Sequence, residues 1–280
     1  MLYYYHEDAI HISKIDLYVK DLNISKAFYI DQLGFSILQE SNDYVALTTD
    51  NQRELLRLHQ NQNLDTIDQA MNIYHFALLL PTRKDLGKFL HHLILKQIPI
   101  DGAADHKVSE AIYLQDPDGI GIEIYCDKDD SLWQKHKDSI DMDTLPFDYK
   151  GVYYEANPDD VFSKLPIETT IGHLHLQTDQ LEKARDFYHK IIGFDIVNDK
   201  MNGAVFMSDK NYHHHLAINS WKQQKNKIQK LRSFTINYPN CEKFKKTYEM
   251  LQEMNIEYQE TMDGVLIKDP ENTEIYLNMK

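Results

Sequence analysis

Internal repetition is the feature that most constrains this fold: residues 12–40 and 171–199 both read as strand, helix, strand. Each helical segment has apolar residues at the spacing of one buried face, and a glycine follows it where a C-terminal cap belongs. The copies share two dipeptides at matching offsets: Phe28-Tyr29 and Gly34-Phe35, Phe187-Tyr188 and Gly193-Phe194. Units this small must bury their apolar faces against one another, so the sequence predicts a modular fold.

Two further segments have the same plan without the Phe-Tyr dipeptide. Residues 73–126 predict a strand, a helix over about 83–96 and three strands, and residues 232–278 predict the same order with a helix over about 241–253. An Asp-Pro turn falls at corresponding points, Asp116-Pro117 and Asp269-Pro270. The sequence therefore predicts an α+β fold of four βαβββ modules. The modules cover residues 1–60, 72–127, 170–220 and 231–280.

The segments between the modules differ in length. Residues 59–71 predict a polar link, and residues 128–169 predict a long acidic connector. Within the connector, Asn157-Pro158 is typical of an N-cap followed by proline at the first helical position. We therefore predict a short helix that begins there.

Composition excludes several classes of function. A net charge of −14 over 280 residues argues against nucleic acid or an anionic membrane as a partner. The N-terminal residues lack a secretion signal, and no apolar run approaches the ~20 residues of a membrane span. Two cysteines, Cys126 and Cys241, are too few for a disulfide framework and suit a reducing compartment. We expect a cytoplasmic protein, and a homo-oligomer remains open.

One segment, residues 104–126, combines polar residues with strand patterning. His106 precedes an alternating strand, the turn Asp116–Gly119 follows, and a second strand contains Glu123 among apolar residues. An outward Glu on an antiparallel strand is ordinary. A buried Glu must instead be paired or bind a metal, and both interpretations stay open on pattern alone.

The order His106, Tyr113, Asp116-Pro117, Gly119, Glu123 resembles the signature of the extradiol ring-cleavage dioxygenases. These enzymes belong to the vicinal-oxygen-chelate superfamily, together with the glyoxalases and the bleomycin-resistance proteins. The resemblance implies that Glu123 is an iron ligand and that His106 and Tyr113 line the substrate pocket. It also implies that βαβββ modules pair into cupped mixed sheets with the helices outside. Ala104 departs from the residues usual in that family at its position.

The same resemblance implies where ligands arise: on the first strand of each paired module and on a last strand. The aligned first-strand residues are Lys14, His75, His173 and Ser233, and the aligned last-strand residues are Glu123 and Tyr276. Modules two and three therefore supply His75, Glu123 and His173, the two-His-one-carboxylate set of Fe(II) oxygenases. Mn(II) is the substitute metal. We expect these central modules to share the catalytic cup and the outer modules to form a second, vacant one.

A histidine run, Tyr212–Ala217, is predicted on the last strand of module three. The resemblance implies an acid/base histidine there, and anchoring on Leu216-Ala217 makes it His214, with His215 as a one-residue slip. A solvated histidine cluster is the other interpretation. His175 is expected to be a pocket residue rather than a ligand.

The predicted function is an Fe(II)-dependent extradiol dioxygenase that acts on a catechol, with a small aromatic diol and O₂ as partners. His214, His106 and Tyr113 are the predicted catalytic residues. Two alternatives remain: a glyoxalase-type metal-dependent isomerase, whose site typically has two carboxylates, and a metal-free binding protein of the bleomycin-resistance type.

Overall fold

The computed structural model describes residues 8–62, 72–137, 139–157, 159–221 and 230–279. Module one comprises β1 (His11–Val19), α1 (Leu22–Ala27), β2 (Ser36–Glu40), β3 (Tyr44–Thr48) and β4 (Leu56–Gln60). Module two comprises β5 (Asn72–Leu79), α2 (Arg83–Lys96), β6 (Gly102–Asp105), β7 (Ser109–Gln115) and β8 (Gly121–Asp127). The connector contains a 3₁₀ turn (Asp130–Leu132), β9 (Lys135–His136), β10 (Ser139–Ile140), β11 (Leu145–Pro146) and α3 (Tyr149–Glu155).

The second half repeats this order. Module three comprises β12 (Thr170–Gln177), α4 (Leu181–Asp186), β13 (Asp195–Asn198), β14 (Ala204–Ser208) and β15 (Leu216–Asn219). Module four comprises β16 (Leu231–Tyr238), α5 (Cys241–Glu253), β17 (Tyr258–Glu260), β18 (Gly264–Lys268) and β19 (Glu274–Met279). Helices α1 and α4 each continue into a π-helical turn, Phe28–Gln32 and Phe187–Ile192. The predicted α+β fold of βαβββ units is confirmed.

Modules that are distant in sequence share a sheet. The central sheet has nine strands in the order β11-β6-β7-β8-β5-β12-β15-β14-β13, so it joins modules two and three. The outer sheet has eight strands in the order β17-β18-β19-β16-β1-β4-β3-β2, so it joins modules four and one. In each sheet the first strands of the two modules pair antiparallel, β5 with β12 and β1 with β16. This is the pairing that the predicted ligand positions required.

The alternation along β8 determines which side chains reach the core. Ile122, Ile124 and Cys126 belong to the large apolar core, to which α2 contributes Phe89. Glu123 projects from the opposite face, because successive residues of a strand point to opposite sides. The carboxylate that sequence patterning singled out therefore lies on the face of the central sheet away from α2.

The repeated dipeptide of the odd modules contacts the repeated turn of the even modules. The Tyr29 hydroxyl donates to Oδ2 of Asp116 at 3.1 Å, and the Tyr188 hydroxyl donates to Oδ2 of Asp269 at 2.9 Å. Asp116 also accepts the backbone N–H of Ile120 at 2.7 Å, which closes its turn. Because Tyr29 and Asp116 belong to different sheets, each bond ties the outer sheet to the central one.

The predicted connector helix is wrong in position. The helix is α3 at Tyr149–Glu155, and Asn157 follows its end, while Pro158 lies outside the described residues. Asp148 is the actual N-cap, since its carboxylate accepts the Gly151 N–H at 2.9 Å. Val152 is then buried against α2, so packing selects this stretch over the Asn-Pro signal. In the described ranges, no helix is long and apolar enough to cross a membrane.

Candidate metal centre

Three neighbouring strands of the central sheet carry the predicted ligands. His75 lies on β5, Glu123 on β8 and His173 on β12, and β5 pairs with both of the other strands. In the register, Ala77 of β5 stands between Glu123 and His173. Because its side chain is only a methyl group, the two longer side chains can converge above it with the ring of His75, two residues away on the same face.

The ligand atoms form a nearly equilateral triangle. Nε2 of His75 lies 3.1 Å from Oε2 of Glu123, and Nε2 of His173 lies 3.2 Å from the same oxygen. The two nitrogens are 3.3 Å apart. An ion bound at about 2.1 Å to three ligands at right angles spaces them about 3 Å apart. The donor types and their spacing therefore fit a metal ion held by these three residues.

The surroundings of His173 and Glu123 shift their pKa values in the directions that favour binding of a cation. Burial lowers the pKa of His173 to about 4, although the neighbouring Glu123 carboxylate opposes the shift. Burial opposes ionisation of Glu123, but His173 and His75 hold the pKa of its carboxyl well below the usual range. Metal ligands must be neutral imidazoles and ionised carboxylates. The local electrostatics favour those forms at His173 and Glu123.

His175 lies beside the triad on the same strand. Its ring centroid is 4.9 Å from that of His75, and its Nε2 lies 2.9 Å from Nδ2 of Asn219. It lines the pocket above the triad and is not one of the three converging ligand residues. His175 therefore lies where a pocket residue, and not a ligand, was expected.

A cavity of about 300 Å³ opens above the triad. Met142, Met201, Phe206 and Trp221 supply large apolar side chains to its wall. A site with apolar and aromatic walls and few polar groups is typical for a small organic ligand.

His106 and Tyr113 line this cavity and contact each other. Nδ1 of His106 lies 2.8 Å from the carbonyl oxygen of Asp143, and Nε2 lies 2.6 Å from the Tyr113 hydroxyl. The carbonyl can only accept, so Nδ1 carries the proton and Nε2 of a neutral ring accepts from the phenol. Burial and the Glu123 carboxylate raise the pKa of Tyr113 well above its ordinary value. Tyr113 therefore stays protonated and serves as a hydrogen-bond donor.

The histidine run does not lie on the last strand of module three, contrary to prediction. Strand β15 begins at Leu216, so His213, His214 and His215 immediately precede it. The ring of His214 lies 4.0 Å from that of His173 and lines the cavity. His215 instead accepts the Asp209 N–H through Nδ1 and packs on Phe194.

The corresponding region of the outer sheet has a different character. Lys14, Thr235 and Tyr276 line a separate cavity of about 530 Å³. Nζ of Lys14 lies 3.2 Å from a carboxylate oxygen of Asp16, so a side-chain ion pair occupies the position equivalent to His173. Over the described ranges of the chain, the His75–Glu123–His173 group is the one cluster whose ligand atoms could hold a metal ion.

The sequence did not indicate the role of two residues that support the site from behind. Tyr125 and Asp127 follow Glu123 at intervals of two along β8, which the alternation could have indicated. The Tyr125 ring lies 5.2 Å from that of His173, and Asp127 contacts His213. No local pattern indicates the second contact, because the two residues are far apart in sequence.

Comparisons with known proteins agree with this fold. The model of the Glyoxalase/Bleomycin resistance protein/Dioxygenase superfamily matches residues 11–124 and 170–271. Catechol-2,3-dioxygenase of Bacillus subtilis (strain 168) is 36% identical over 274 residues, which cover 95% of each chain. Glyoxalase I of Zea mays has a similar fold, with a TM-score of 0.58 and 15% identity over 96% of this chain and 92% of that one.

A solved structure from Bacillus subtilis subsp. subtilis str. 168 also shares the fold. Its TM-score is 0.67 at 11% identity, over 98% of this chain and 86% of the other. Likenesses at this identity support the architecture alone. The family model and the 36% identical relative carry the assignment: the chain belongs to the glyoxalase/bleomycin resistance protein/dioxygenase superfamily.

Proposed function

We propose that this protein is an Fe(II)-dependent extradiol dioxygenase that cleaves the ring of a catechol. The observation that carries the proposal is the buried His75–Glu123–His173 triangle beneath a cavity with apolar walls. The similarity to a catechol-2,3-dioxygenase supports the choice of substrate class. Two free cysteines agree with a reducing, cytoplasmic setting for such an enzyme.

The donor set favours Fe(II), with Mn(II) as the substitute. Two imidazoles and one carboxylate on one face leave coordination positions open, as in non-haem Fe(II) oxygenases. Bound Fe(II) would supply the Lewis acidity that draws the vicinal oxygens of the diol to the site and a route by which electrons of the diol reach O₂. A glyoxalase-type site typically has two carboxylates, whereas the triangle here contains Glu123 alone.

The remaining pocket residues bind and orient the diol. Phe206 and Met142 would hold the aromatic ring between apolar surfaces and exclude water. Tyr113 keeps its proton and donates it to His106, so its oxygen would accept a hydrogen bond from a substrate hydroxyl. The Asp143 carbonyl holds the His106 ring, so His106 would position Tyr113 through their 2.6 Å contact.

His214 would move the proton. Burial and the nearby His173 and His213 hold the pKa of His214 well below its ordinary range, so the free ring is neutral at physiological pH. A neutral imidazole in the cavity wall can accept the proton of a substrate hydroxyl and return it later. This proton transfer is the acid/base role that we assign to His214.

The test uses protein purified without O₂ and loaded with Fe(II), Mn(II) or Zn(II). We expect the Fe(II) form to consume one O₂ per catechol and to yield a ring-opened hydroxymuconic semialdehyde. With ¹⁸O₂, mass spectrometry should show both labelled atoms in the product. Turnover of a hemithioacetal without O₂ would favour the isomerase, and failure of the chain to retain any metal would favour the binding protein.

A further inference from the structure

A hydrogen-bonded chain of three side chains lies behind the cavity wall. Oδ1 of Asp127 lies 2.9 Å from Nε2 of His213, and Nδ1 of His213 lies 2.8 Å from Nδ1 of His214. The Asp127 and His213 side chains are 4% and 1% exposed. His214 lines the cavity, whereas Asp127 and His213 do not. Only the last member of this chain can therefore touch a substrate.

Aromatic residues enclose the two inner members. The Tyr212 hydroxyl donates to Asp127 at 3.1 Å and lies 2.9 Å from the Tyr125 hydroxyl. The Trp133 ring packs edge-on against His213, with 5.3 Å between centroids. Buried polar groups held by several partners keep one geometry, because losing any partner leaves an unsatisfied group in a dry environment. The His213 ring is therefore held in one orientation.

Hydrogen-bond chemistry gives this chain a direction. Burial and the Glu123 carboxylate raise the pKa of Asp127 well above its ordinary value, whereas the Tyr212 hydroxyl, which donates to both carboxylate oxygens, stabilises the ionised form. The ionised carboxylate only accepts, so it requires the proton of His213 on Nε2. The Nδ1 of a neutral His213 must then accept, which requires that His214 donate from its own Nδ1. Nε2 of His214 is left with a free lone pair. The tautomer that can act as a base is thus selected by residues outside the pocket.

We propose that Asp127 and His213 are positioning residues that orient His214 and select the tautomer with Nε2 unprotonated. The inference rests on the proposed function for its catalytic consequence, but the tautomer itself can be measured without turnover. Residues that fix the orientation and tautomer of a functional imidazole typically contribute 10- to 100-fold to activity or affinity. If His213 only filled space, the loss of activity would be the same whichever of its two nitrogens was replaced.

Two amide variants separate these interpretations. In His213→Asn the amide oxygen takes the place of Nδ1 and can still accept from His214. In His213→Gln the amide nitrogen takes the place of Nε2, so the contact with Asp127 remains and the contact with His214 is lost. We expect His213→Gln to lower kcat for catechol about 10- to 100-fold and His213→Asn to lower it clearly less. Equal losses in both variants would overturn the positioning role.

Binding measurements separate positioning from general damage. Iron content and the anaerobic affinity for catechol should stay within about twofold of wild type in His213→Gln, because His213 is neither a ligand nor a pocket residue. The exposed His136→Asn serves as a matched control and should change none of these values. A loss of iron or of catechol affinity parallel to kcat would contradict the proposal.

The tautomer is read by ¹⁵N-imidazole NMR on the Zn(II)-loaded protein, which needs no turnover. Wild type should show His214 protonated on Nδ1, and Asp127→Asn should lose that preference, since an amide can donate as well as accept. This second variant keeps the shape of Asp127 if the His213 variants fail to fold. His214 protonated on Nε2 in wild type would overturn the inference. If catechol is not cleaved but the Nδ1 tautomer is found, the proposed function fails and the selected tautomer stands.

Discussion

The phenol oxygen of Tyr125 lies so close to Gly172 that a Cβ on residue 172 would come within 2.0 Å of it. Tyr125 follows Glu123 by two residues on β8, and Gly172 immediately precedes His173 on β12. The contact therefore links β8 near Glu123 to β12 near His173, and strand β5 lies between these two strands. Only glycine leaves room for it.

Replacing Gly172 by alanine should damage the metal centre. The new methyl group meets three atoms of the Tyr125 side chain, which is fully buried, so the strands must separate. Overpacking of this kind typically costs 1–3 kcal/mol, and we expect about that loss in the free energy of unfolding. Metal affinity should fall with it. Gly102→Ala is the matched control, because no atom lies within 4 Å of its added Cβ; similar losses in both variants would contradict the steric argument.

Two glutamates on equivalent last strands should behave differently. Glu123→Ala removes the carboxylate between two imidazoles, so we expect loss of bound metal and of ring cleavage. Glu274→Ala, on β19 of the outer sheet, should retain both. Metal content by elemental analysis and O₂ uptake with catechol are the measurements. Retention of metal by Glu123→Ala would remove the basis for the proposed site.

Loss of His214 should slow turnover while iron stays bound. A positioned proton carrier typically contributes 10²–10⁴-fold to the rate, and we expect a decrease of about that size in kcat for His214→Ala. The ring packs against His173 but is not part of the ligand triangle. Loss of iron in this variant would place His214 among the ligands, and full activity would show that it carries no proton.

Asp116 should make stability depend on pH. Burial raises the pKa of Asp116 to about 6, although its backbone hydrogen bonds and Tyr29 favour the ionised form. A folded-state pKa above the unfolded value means stabilisation that is complete below about pH 4 and is lost as the pH rises through 6. Asp116→Asn keeps the shape without the charge. Relative to wild type, its free energy of unfolding should therefore rise by up to about 3 kcal/mol between pH 4 and pH 7.

Urea denaturation at several pH values measures this difference. The exposed Asp43→Asn is the control and should give no such trend. A constant difference between Asp116→Asn and wild type across the range would show that the buried carboxyl has an ordinary pKa.

The proposed enzyme should prefer catechols with uncharged substituents. Of the described residues that line the cavity, none is Lys or Arg, and Asp143 adds a carboxylate. An anionic substituent would lose its hydration without gaining a partner. We expect kcat/KM for 3,4-dihydroxyphenylacetamide to exceed that for 3,4-dihydroxyphenylacetate at least about tenfold, equivalent to roughly 1.4 kcal/mol. Equal values for this size-matched pair would show that charge is not selected.

Local pattern was enough to predict the modules. The four βαβββ units follow from alternation, helical spacing and glycine or Asp-Pro punctuation, all of which act within about 30 residues. The same alternation placed Glu123 on the opposite face from Ile122 and Ile124. The resemblance to the dioxygenase signature added the positions of His75 and His173. These features were accessible because each depends on residues that are neighbours along one strand or helix.

Local signals were less reliable where packing competes with them. Asn157-Pro158 is a strong helix-start signal, yet the helix forms at Tyr149–Glu155, where Asp148 caps it and Val152 packs against α2. The start of β15 likewise follows from pairing of Leu216 with Leu174, so the histidines before it lie outside the strand. In both cases burial of an apolar side chain decided between local alternatives of similar energy.

The sequence by itself determined the units and the residue types of the candidate site, because periodicity and turn chemistry are local properties. Tertiary structure decided which modules pair in one sheet. That pairing brings the ligand atoms of His75, Glu123 and His173 to within 3.1–3.3 Å of one another. It also decided the contacts of Asp127 with His213 and of Tyr125 with Gly172. These pairs are remote along the chain, and no propensity encodes their approach; they meet because the modules bury their apolar faces together.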